Sequence, residues 1–192
     1  MTVHATSGTH PATPAGHPPG RLTRTAAGEG PAYWFFDCLA VVRTPAADTP
    51  PAILEVTVAP GGGAPLHVHD DLDDSFYLLD GQLAMRCGEH TFLARRGDYV
   101  VLPKGIPHTF RVTGDQPARM LQVHQDDSFL RFIQAVGIPA ATRTVPTTTQ
   151  LRVPFEDMPR IAADTGQPII GPPMSEQEAQ QIQQDELVEP GP

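Results

Sequence analysis

Short segments rich in β-branched and aromatic residues, separated by turn signals, fill the chain between residues 33 and 123. The segments are 33–42, 53–59, 76–79, 82–87, 90–93, 99–102, 108–112 and 119–123. Many short strands at close spacing, with no helices between them, are typical of antiparallel sandwiches and barrels. We therefore predict an all-β fold. The 22 prolines and 17 glycines among 192 residues fit this prediction, because they punctuate short strands and disfavour long helices.

The two ends of the chain differ from this central region. Residues 1–30 are small, polar and proline-rich, so they cannot bury enough apolar surface to offset the entropy of ordering, and we predict a disordered tail. Its histidines, His4, His10 and His17, are expected to be solvated. We place a barrel at 31–126 and a helical or irregular C-terminal extension at 127–192. Helices are predicted at 128–136, at 155–163 and from the capping box at 175–178 to about residue 187, the last one exposed.

Charge and composition exclude several classes of protein. The formal net charge of −9 repels phosphate backbones, so we expect no nucleic-acid partner. No apolar run approaches the roughly 20 residues that span a bilayer, and the N-terminus lacks the apolar core of a signal peptide, so we expect no membrane partner and a cytoplasmic location. Cys38 and Cys87 are too few for a disulfide framework, and we interpret them as small buried hydrophobic residues.

Two histidines separated by one residue, His67 and His69, follow a Pro-Gly-Gly-Gly break at 60–63. Residues i and i+2 of a strand point to the same face, so the two imidazoles would project together. If that face is the barrel interior, the rings need a partner, because a buried and unpaired imidazole is costly, and a divalent metal would satisfy both. Taken alone, the pattern fits two surface histidines beside a flexible turn equally well.

The wider spacing extends this pattern into two blocks. The first block reads Gly61, five residues, His67-x-His69, four residues, Asp74, six residues and Gly81. The second reads Gly97, five residues, Pro103-x-Gly105, two residues and His108. The blocks resemble the paired motifs of the cupin superfamily, G-x5-H-x-H-x3–4-E-x6-G and G-x5-P-x-G-x2-H-x3-N. The stretch 74–81 also resembles one that is common among bacterial cupins, and the motif-bearing match covers about residues 50–125.

The resemblance implies a cupin jelly-roll β-barrel in which His67, His69 and His108 bind a divalent transition metal (Fe, Mn, Ni, Co or Zn), with a carboxylate as fourth ligand. Asp74 stands where the family has glutamate, and it is one methylene shorter. We therefore expect Asp74 either to bind the metal or to act as a catalytic base beside it. Asp73 would replace it only if the strand phase slipped by one residue, so we favour Asp74.

Four further positions have structural interpretations. Val112 stands where the second motif often has asparagine, and we expect that position to be structural. His90 and His124 lie outside the motifs. His90 follows a Gly-Glu turn and is expected to be exposed, whereas His124 ends a strand near the barrel mouth and is expected to have a structural or supporting role. The helix that begins near Phe129 is expected to close that mouth.

Two segments of the extension, 128–139 and 161–173, resemble the tail of single-domain bacterial cupins related to quercetin dioxygenase. This resemblance implies oxidative cleavage of a small aromatic or flavonol-like enol. Two alternatives stay open: a metal-dependent cyclase or isomerase of an aromatic or polyketide-like metabolite, and a small-molecule-binding cupin without catalysis.

We expect a homodimer, with residues 33–42 as a contact, because edge strands of a small barrel favour pairing.

Overall fold

The computed structural model of the chain describes residues 24–44 and 51–188. Of the predicted disordered tail, residues 1–23, including the three tail histidines, lie outside the described residues. Residues 24–30 form turns against the sheet that begins at residue 32. Thr25 Oγ1 donates a hydrogen bond to the carbonyl of Arg43 at 2.8 Å, and the Arg43 guanidinium donates to the carbonyl of Ala26 at 3.1 Å.

The larger of two antiparallel sheets has seven strands among the described residues. They are β1 (Ala32–Phe35), β2 (Cys38–Val42), β3 (Ala52–Val58), β5 (Asp74–Asp80), β8 (Tyr99–Leu102), β10 (Ala118–His124) and β11 (Ile138–Pro139). Their order across the sheet is β11-β1-β2-β3-β10-β5-β8. In β3 every second residue is buried, as expected for a strand with one face on the core.

The smaller sheet has five strands in the described part of the chain. They are β4 (Gly63–His67), β6 (Gln82–Cys87), β7 (His90–Arg95), β9 (His108–Val112) and β12 (Ile169–Pro173). Their order is β12-β4-β9-β6-β7. Buried side chains of both sheets, such as Leu54, Phe76 and Met85, form one hydrophobic core, and Cys38 and Cys87 are buried there as free thiols. The predicted all-β fold is therefore confirmed.

The predicted single strand at 33–42 is a hairpin of β1 and β2. Phe36, between them, has a φ of 52°, a left-handed conformation that aromatic residues rarely adopt. Two backbone hydrogen bonds of 2.8 Å join Phe36 to Gln150 and hold the turn in place. Because the partner lies far away in the chain and no glycine or proline marks the turn, the local sequence reads as one continuous strand.

Three α-helices lie in the C-terminal part of the described chain. They are α1 (Ser128–Val136), α2 (Met158–Asp164), which follows a 3₁₀ turn at Phe155–Asp157, and α3 (Glu176–Val188). Helix α1 has the predicted bounds and buries Leu130, Phe132 and Ile133 against the core, consistent with their helical spacing. None of the helices in the described ranges is long and apolar enough to cross a membrane.

The prediction that α3 is exposed is wrong for one face of the helix. Ser175 Oγ accepts a hydrogen bond from the backbone N–H of Glu178 at 3.1 Å, so the predicted cap is present. Ala179 and Ile182, however, are buried against Ala84 and Leu93 of the smaller sheet. The helix is mostly polar, and its apolar residues are too few to predict a buried face from the sequence.

The C-terminal extension also contributes strands to both sheets. Strand β11 pairs with β1, and β12 pairs with β4, where Ile169 lies opposite His67. The backbone N–H of Val68 donates to the carbonyl of Pro168 at 3.2 Å, which continues this pairing past the end of β4. The extension therefore braces the strand that carries the first histidine of the H-x-H pair.

Candidate metal centre

Three histidines meet at one end of the smaller sheet. His67 ends β4 and lies opposite His108, the first residue of β9, with ring centroids 4.4 Å apart. His69 follows β4 by two residues, and its ring centroid lies 5.2 Å from that of His67 and 5.4 Å from that of His108. One ring nitrogen of each histidine lies within 4.8 Å of the other two. We call these three residues the histidine centre.

Backbone carbonyls orient two of the three rings. His67 Nδ1 lies 2.8 Å from the carbonyl oxygen of Pro65, and His108 Nδ1 lies 2.9 Å from that of Ile106. Because a carbonyl only accepts hydrogen bonds, each Nδ1 carries the proton and donates it, and each Nε2 keeps a free lone pair. The Nε2 atom of His108 is buried without a hydrogen-bond partner. A metal ion would satisfy such an atom, which is otherwise costly to bury.

The protonation state of the centre also suits a metal. Burial lowers the pKa of His67 to about 4, and the neighbouring His108 adds to this effect. Burial likewise lowers the pKa of His69 to about 4, although Asp74 opposes the shift. Both imidazoles are therefore neutral at pH 7, which is the form that donates a lone pair to a cation.

Asp74 begins β5 and is buried beside the histidine centre. Its Oδ2 atom lies 4.0 Å from His108 Nε2, and its Oδ1 atom lies 3.5 Å from His124 Nε2. Burial alone would raise the pKa of Asp74, but the surrounding histidines, with His124 foremost, outweigh it and lower the pKa. Asp73 instead accepts a hydrogen bond from the backbone N–H of Lys104 at 2.9 Å, in a turn. Of the two aspartates, Asp74 is the one beside the centre.

A fourth histidine, His124, also lies beside the centre. It is 3% exposed, its Nε2 atom has no hydrogen-bond partner, and its ring stacks on Phe129 with centroids 4.8 Å apart. Its centroid lies 6.2 Å from that of His69. The alternation of β10, which buries Met120 and every second residue after it, was the signal that His124 points inward. His90 is exposed, as predicted.

An apolar cavity adjoins the histidine centre. Its volume is about 80 Å³, and about 820 Å³ when the open mouth is included. Aromatic rings, among them Phe35, Phe110 and Phe129, form much of its wall, and the extension adds Gln167 and Ile169. In the part of the chain that the structure describes, no lysine or arginine lines this cavity. Such a site suits a small, largely apolar molecule with a few polar groups.

The residues present therefore fit a divalent transition metal. Three imidazoles converge, a buried carboxylate stands next to them, and a ligand set of this kind leaves coordination positions open for a substrate. Two antiparallel sheets that enclose such a centre define a jelly-roll barrel able to hold a metal ion. The identity of the metal does not follow from the ligand types, because imidazole suits most first-row ions.

The family model for the cupin domain matches residues 54–124, which include all three histidines and Asp74. This segment therefore matches the cupin domain, as the sequence motifs predicted. It is 29% identical over 115 residues to the quercetin 2,3-dioxygenase of Bacillus subtilis (strain 168), a match that covers 58% of this chain and 34% of that protein. It is 27% identical over 70 residues to the uncharacterized protein MJ1618 of Methanocaldococcus jannaschii, covering 36% of this chain and 56% of that protein.

Both matches span only part of these relatives, about a third of the first and about half of the second. Among solved structures, the Cnp3 cupin domain of Schizosaccharomyces pombe is 17% identical with a TM-score of 0.43, covering 50% of this chain and 69% of that chain. The oxalate decarboxylase of Lactobacillus farciminis, in a formate complex, is 21% identical with a TM-score of 0.45, covering 50% of this chain and 30% of that chain.

Proposed function

We propose that this protein is a metal-dependent dioxygenase that oxidatively cleaves a small aromatic enol. One observation carries the proposal: the histidine centre opens onto an apolar cavity walled by aromatic rings. A flat enol in that cavity would place its oxygen at the centre with little water around it. The similarity to a quercetin 2,3-dioxygenase in the segment that holds the centre supports this choice of reaction.

His67, His69 and His108 would hold the metal. When bound, a divalent metal of suitable redox chemistry lowers the pKa of an enol hydroxyl and allows electrons to pass from the enolate to dioxygen. The protein supplies the rest. The aromatic walls orient the ring system and exclude water, and the ionised Asp74 accepts the hydroxyl proton. His124, next to Asp74, helps to lower the pKa of the carboxyl group and so keeps Asp74 ionised before that transfer.

The net reaction is balanced without a further reductant. A carbon–carbon bond of the enol breaks, and both atoms of dioxygen enter the products. The substrate itself supplies the electrons that reduce dioxygen. The proton taken by Asp74 returns to a product oxygen or to solvent, so the site ends each cycle in its starting state.

One observation favours a second candidate, a cyclase or isomerase acting on an aromatic metabolite. The three imidazole nitrogens form the metal-type group without Asp74, whose carboxylate lies nearer to His124. A cation held in this way would act as a Lewis acid, and the Asp74–His124 pair would move a proton between two carbons of the substrate. No dioxygen is consumed in such a reaction. A binding protein without catalysis would keep the metal and the cavity but turn over neither substrate.

The experiment combines elemental analysis of gently purified protein with an oxygen electrode. Quercetin and 3-hydroxyflavone serve as enol probes. We expect the wild type to contain a first-row metal and to consume oxygen in proportion to the probe cleaved. His108→Ala is expected to lose both the metal and the oxygen uptake, whereas the exposed His90→Ala is expected to keep both.

The outcomes separate the candidates. Product formation without oxygen uptake would indicate a cyclase or isomerase and would contradict the dioxygenase. Tight probe binding without any product would indicate a binding protein. Equal metal content in the wild type and in His108→Ala would show that the histidine centre does not bind the metal. A homodimer and a cytoplasmic location stay predictions from the sequence, and β2, which was expected to contribute to a dimer contact, is buried within its own chain.

A further inference from the structure

Gln122, on β10, is a buried amide that no part of the described chain satisfies. Its side chain is part of the cavity wall and only 7% exposed. Its Oε1 atom is fully buried and has no hydrogen-bond partner, and no hydrogen bond from its Nε2 atom occurs within the described residues. Proteins rarely leave a buried amide unpaired, because it loses its bonds to water and gains nothing in return.

The surroundings of Gln122 explain why the chain itself cannot satisfy the amide. Across β10, Gln122 lies opposite Phe76 on one side and Leu54 on the other, and both are buried. Along β10, Met120 lies in the core on one side and His124 ends the strand on the other. Gln122 therefore lies two residues before His124 on the inward face of β10, and its two cross-strand neighbours offer no polar side chain.

The other cavity amide does not share this property. Gln167 Nε2 lies 3.5 Å from Thr165 Oγ1, and its backbone N–H donates to the carbonyl of Ala162 at 2.9 Å. Within the described ranges, the remaining buried side-chain atoms without a partner belong to His108 of the histidine centre and to Asp74 and His124 beside it. The amide of Gln122 thus marks a further polar point in the cavity wall.

The charges of the cavity define what this second point would bind. Among the described residues its wall contains no lysine or arginine, and Asp74 is the one carboxylate in it. An anionic group buried next to Gln122 would find no basic side chain to neutralise it and would be disfavoured. An amide offers one acceptor and two donors, which match a neutral hydroxyl, phenol or carbonyl.

We propose that Gln122 is a specificity-determining residue that hydrogen-bonds a neutral hydroxyl or carbonyl of the substrate, while the enol of the same molecule occupies the histidine centre. The substrate class is then a compact aromatic or ring enol with a second, uncharged polar group. This proposal rests on the proposed function in taking the histidine centre as the first anchor. The cavity volume of about 80 Å³ favours a compact molecule.

The test uses two ring enols that differ by one hydroxyl. Kojic acid carries a hydroxymethyl group where allomaltol carries a methyl group, and both present the same chelating enol and ketone. Their affinities are measured by calorimetry on protein loaded with Zn²⁺, which is redox-inert. We expect the wild type to bind kojic acid about tenfold more tightly than allomaltol, the ratio that one well-made buried hydrogen bond provides.

Gln122→Met removes the amide and nearly keeps the volume. We expect the kojic acid to allomaltol affinity ratio to fall to about one, with the affinity for allomaltol retained. The melting temperature of the ligand-free variant should stay equal or rise, because an unsatisfied amide is replaced by an apolar group. Gln116→Met, at an exposed turn, makes the same chemical change and should preserve the ratio.

Three results would overturn the proposal: no preference of the wild type for kojic acid, a preference that survives in Gln122→Met, or a clear fall in the melting temperature of that variant. The last result would indicate that Gln122 has a structural role. Failure of the proposed function looks different. If the wild type prefers kojic acid and Gln122→Met loses that preference, but the enol probes give neither oxygen uptake nor product, then the dioxygenase proposal fails and Gln122 is still a binding residue.

Discussion

Asp74 Oδ1 lies 3.5 Å from His124 Nε2, closer than the 4.0 Å that separates Asp74 Oδ2 from His108 Nε2. Asp74 is the first residue of β5 and His124 is the last residue of the neighbouring antiparallel strand β10, and both point inward. A glutamate at position 74 would reach one methylene further into the cavity. The shorter aspartate lies nearer to His124, so the carboxylate stands at the side of the histidine centre and lines the cavity.

Asp74→Asn tests the role of this carboxylate. The variant keeps the shape of the side chain but cannot accept a proton, so we expect turnover of an enol substrate to fall about 100-fold or more. Metal content should stay near that of the wild type, because the three imidazoles that form the centre are intact. Steady-state kinetics and elemental analysis measure the two effects. Asp71→Asn, in the exposed part of the same loop, is the control. Metal loss in Asp74→Asn would instead make the carboxylate a ligand.

The metal-free protein should lose stability in acid. The pKa values of His67 and His69 are about 4 in the fold and about 6.5 in an unfolded chain, so the unfolded chain binds protons first as the pH falls. This stability is fully present above pH 6.5 and is lost progressively toward pH 4. Thermal melts between pH 7.5 and pH 4 in the presence of a chelator measure it.

Removal of one buried imidazole should flatten that acid response. His69→Asn removes a group that resists protonation in the fold, so its melting temperature should fall less steeply with pH than that of the wild type. His90→Asn, at an exposed position, should retain the wild-type slope. Parallel slopes in all three proteins would show that other groups cause the acid sensitivity.

Helix α3 should stabilise the barrel through its buried face. Ile182 is 5% exposed, whereas Ile170 on β12 is 52% exposed, so the same truncation can be compared in two environments. Ile182→Ala is expected to lower the free energy of unfolding by about 2–4 kcal/mol, because it leaves a cavity between the helix and the smaller sheet. Ile170→Ala should change it by less than about 0.5 kcal/mol. Urea denaturation measures both, and equal effects would contradict the packing of α3.

Gly63 should couple the packing of two strands to metal binding. A Cβ atom at this position would lie 2.1 Å from the carbonyl oxygen of Phe110, so Gly63→Ala must push β4, which carries His67, away from β9, which carries His108. We expect a loss of about 1–3 kcal/mol in the free energy of unfolding, together with weaker Zn²⁺ binding.

Gly171→Ala is the matched control for this change. A Cβ atom there would meet a side-chain carbon of Leu66 at 3.1 Å, and that side chain can shift. Calorimetric Zn²⁺ titration and urea denaturation of both variants separate the two positions. Zn²⁺ affinity in Gly63→Ala equal to that in Gly171→Ala would contradict the coupling.

Most of the barrel could be predicted because its signals are local. The predicted strands at 82–87, 99–102 and 108–112 coincide with β6, β8 and β9, and the helix at 128–136 coincides with α1. Alternating burial, helical spacing and turn residues all operate within about ten residues of the chain. The H-x-H pair was noticed from its spacing, and the resemblance to the cupin motifs implied that His108 joins it; the structure brings the three histidines together.

The positions that were missed depend on contacts between distant residues. Phe36 takes its left-handed turn because Gln150 bonds to it, and β12 forms because β4 offers it an edge. His124 was expected to have a supporting role, but its distance to Asp74 depends on the register between β5 and β10. No local sequence signal near these residues predicts their partners.

By itself, then, the amino-acid sequence determined where most of the strands and turns lie, because periodicity and backbone preference act between near neighbours, and its resemblance to the cupin motifs indicated which histidines could bind a metal. Only the tertiary structure decided that Asp74 faces His124, that the extension braces β4, and that the amide of Gln122 is left without a partner in the cavity. Those outcomes depend on which distant side chains share one enclosed space, and that is decided when the two sheets pack together.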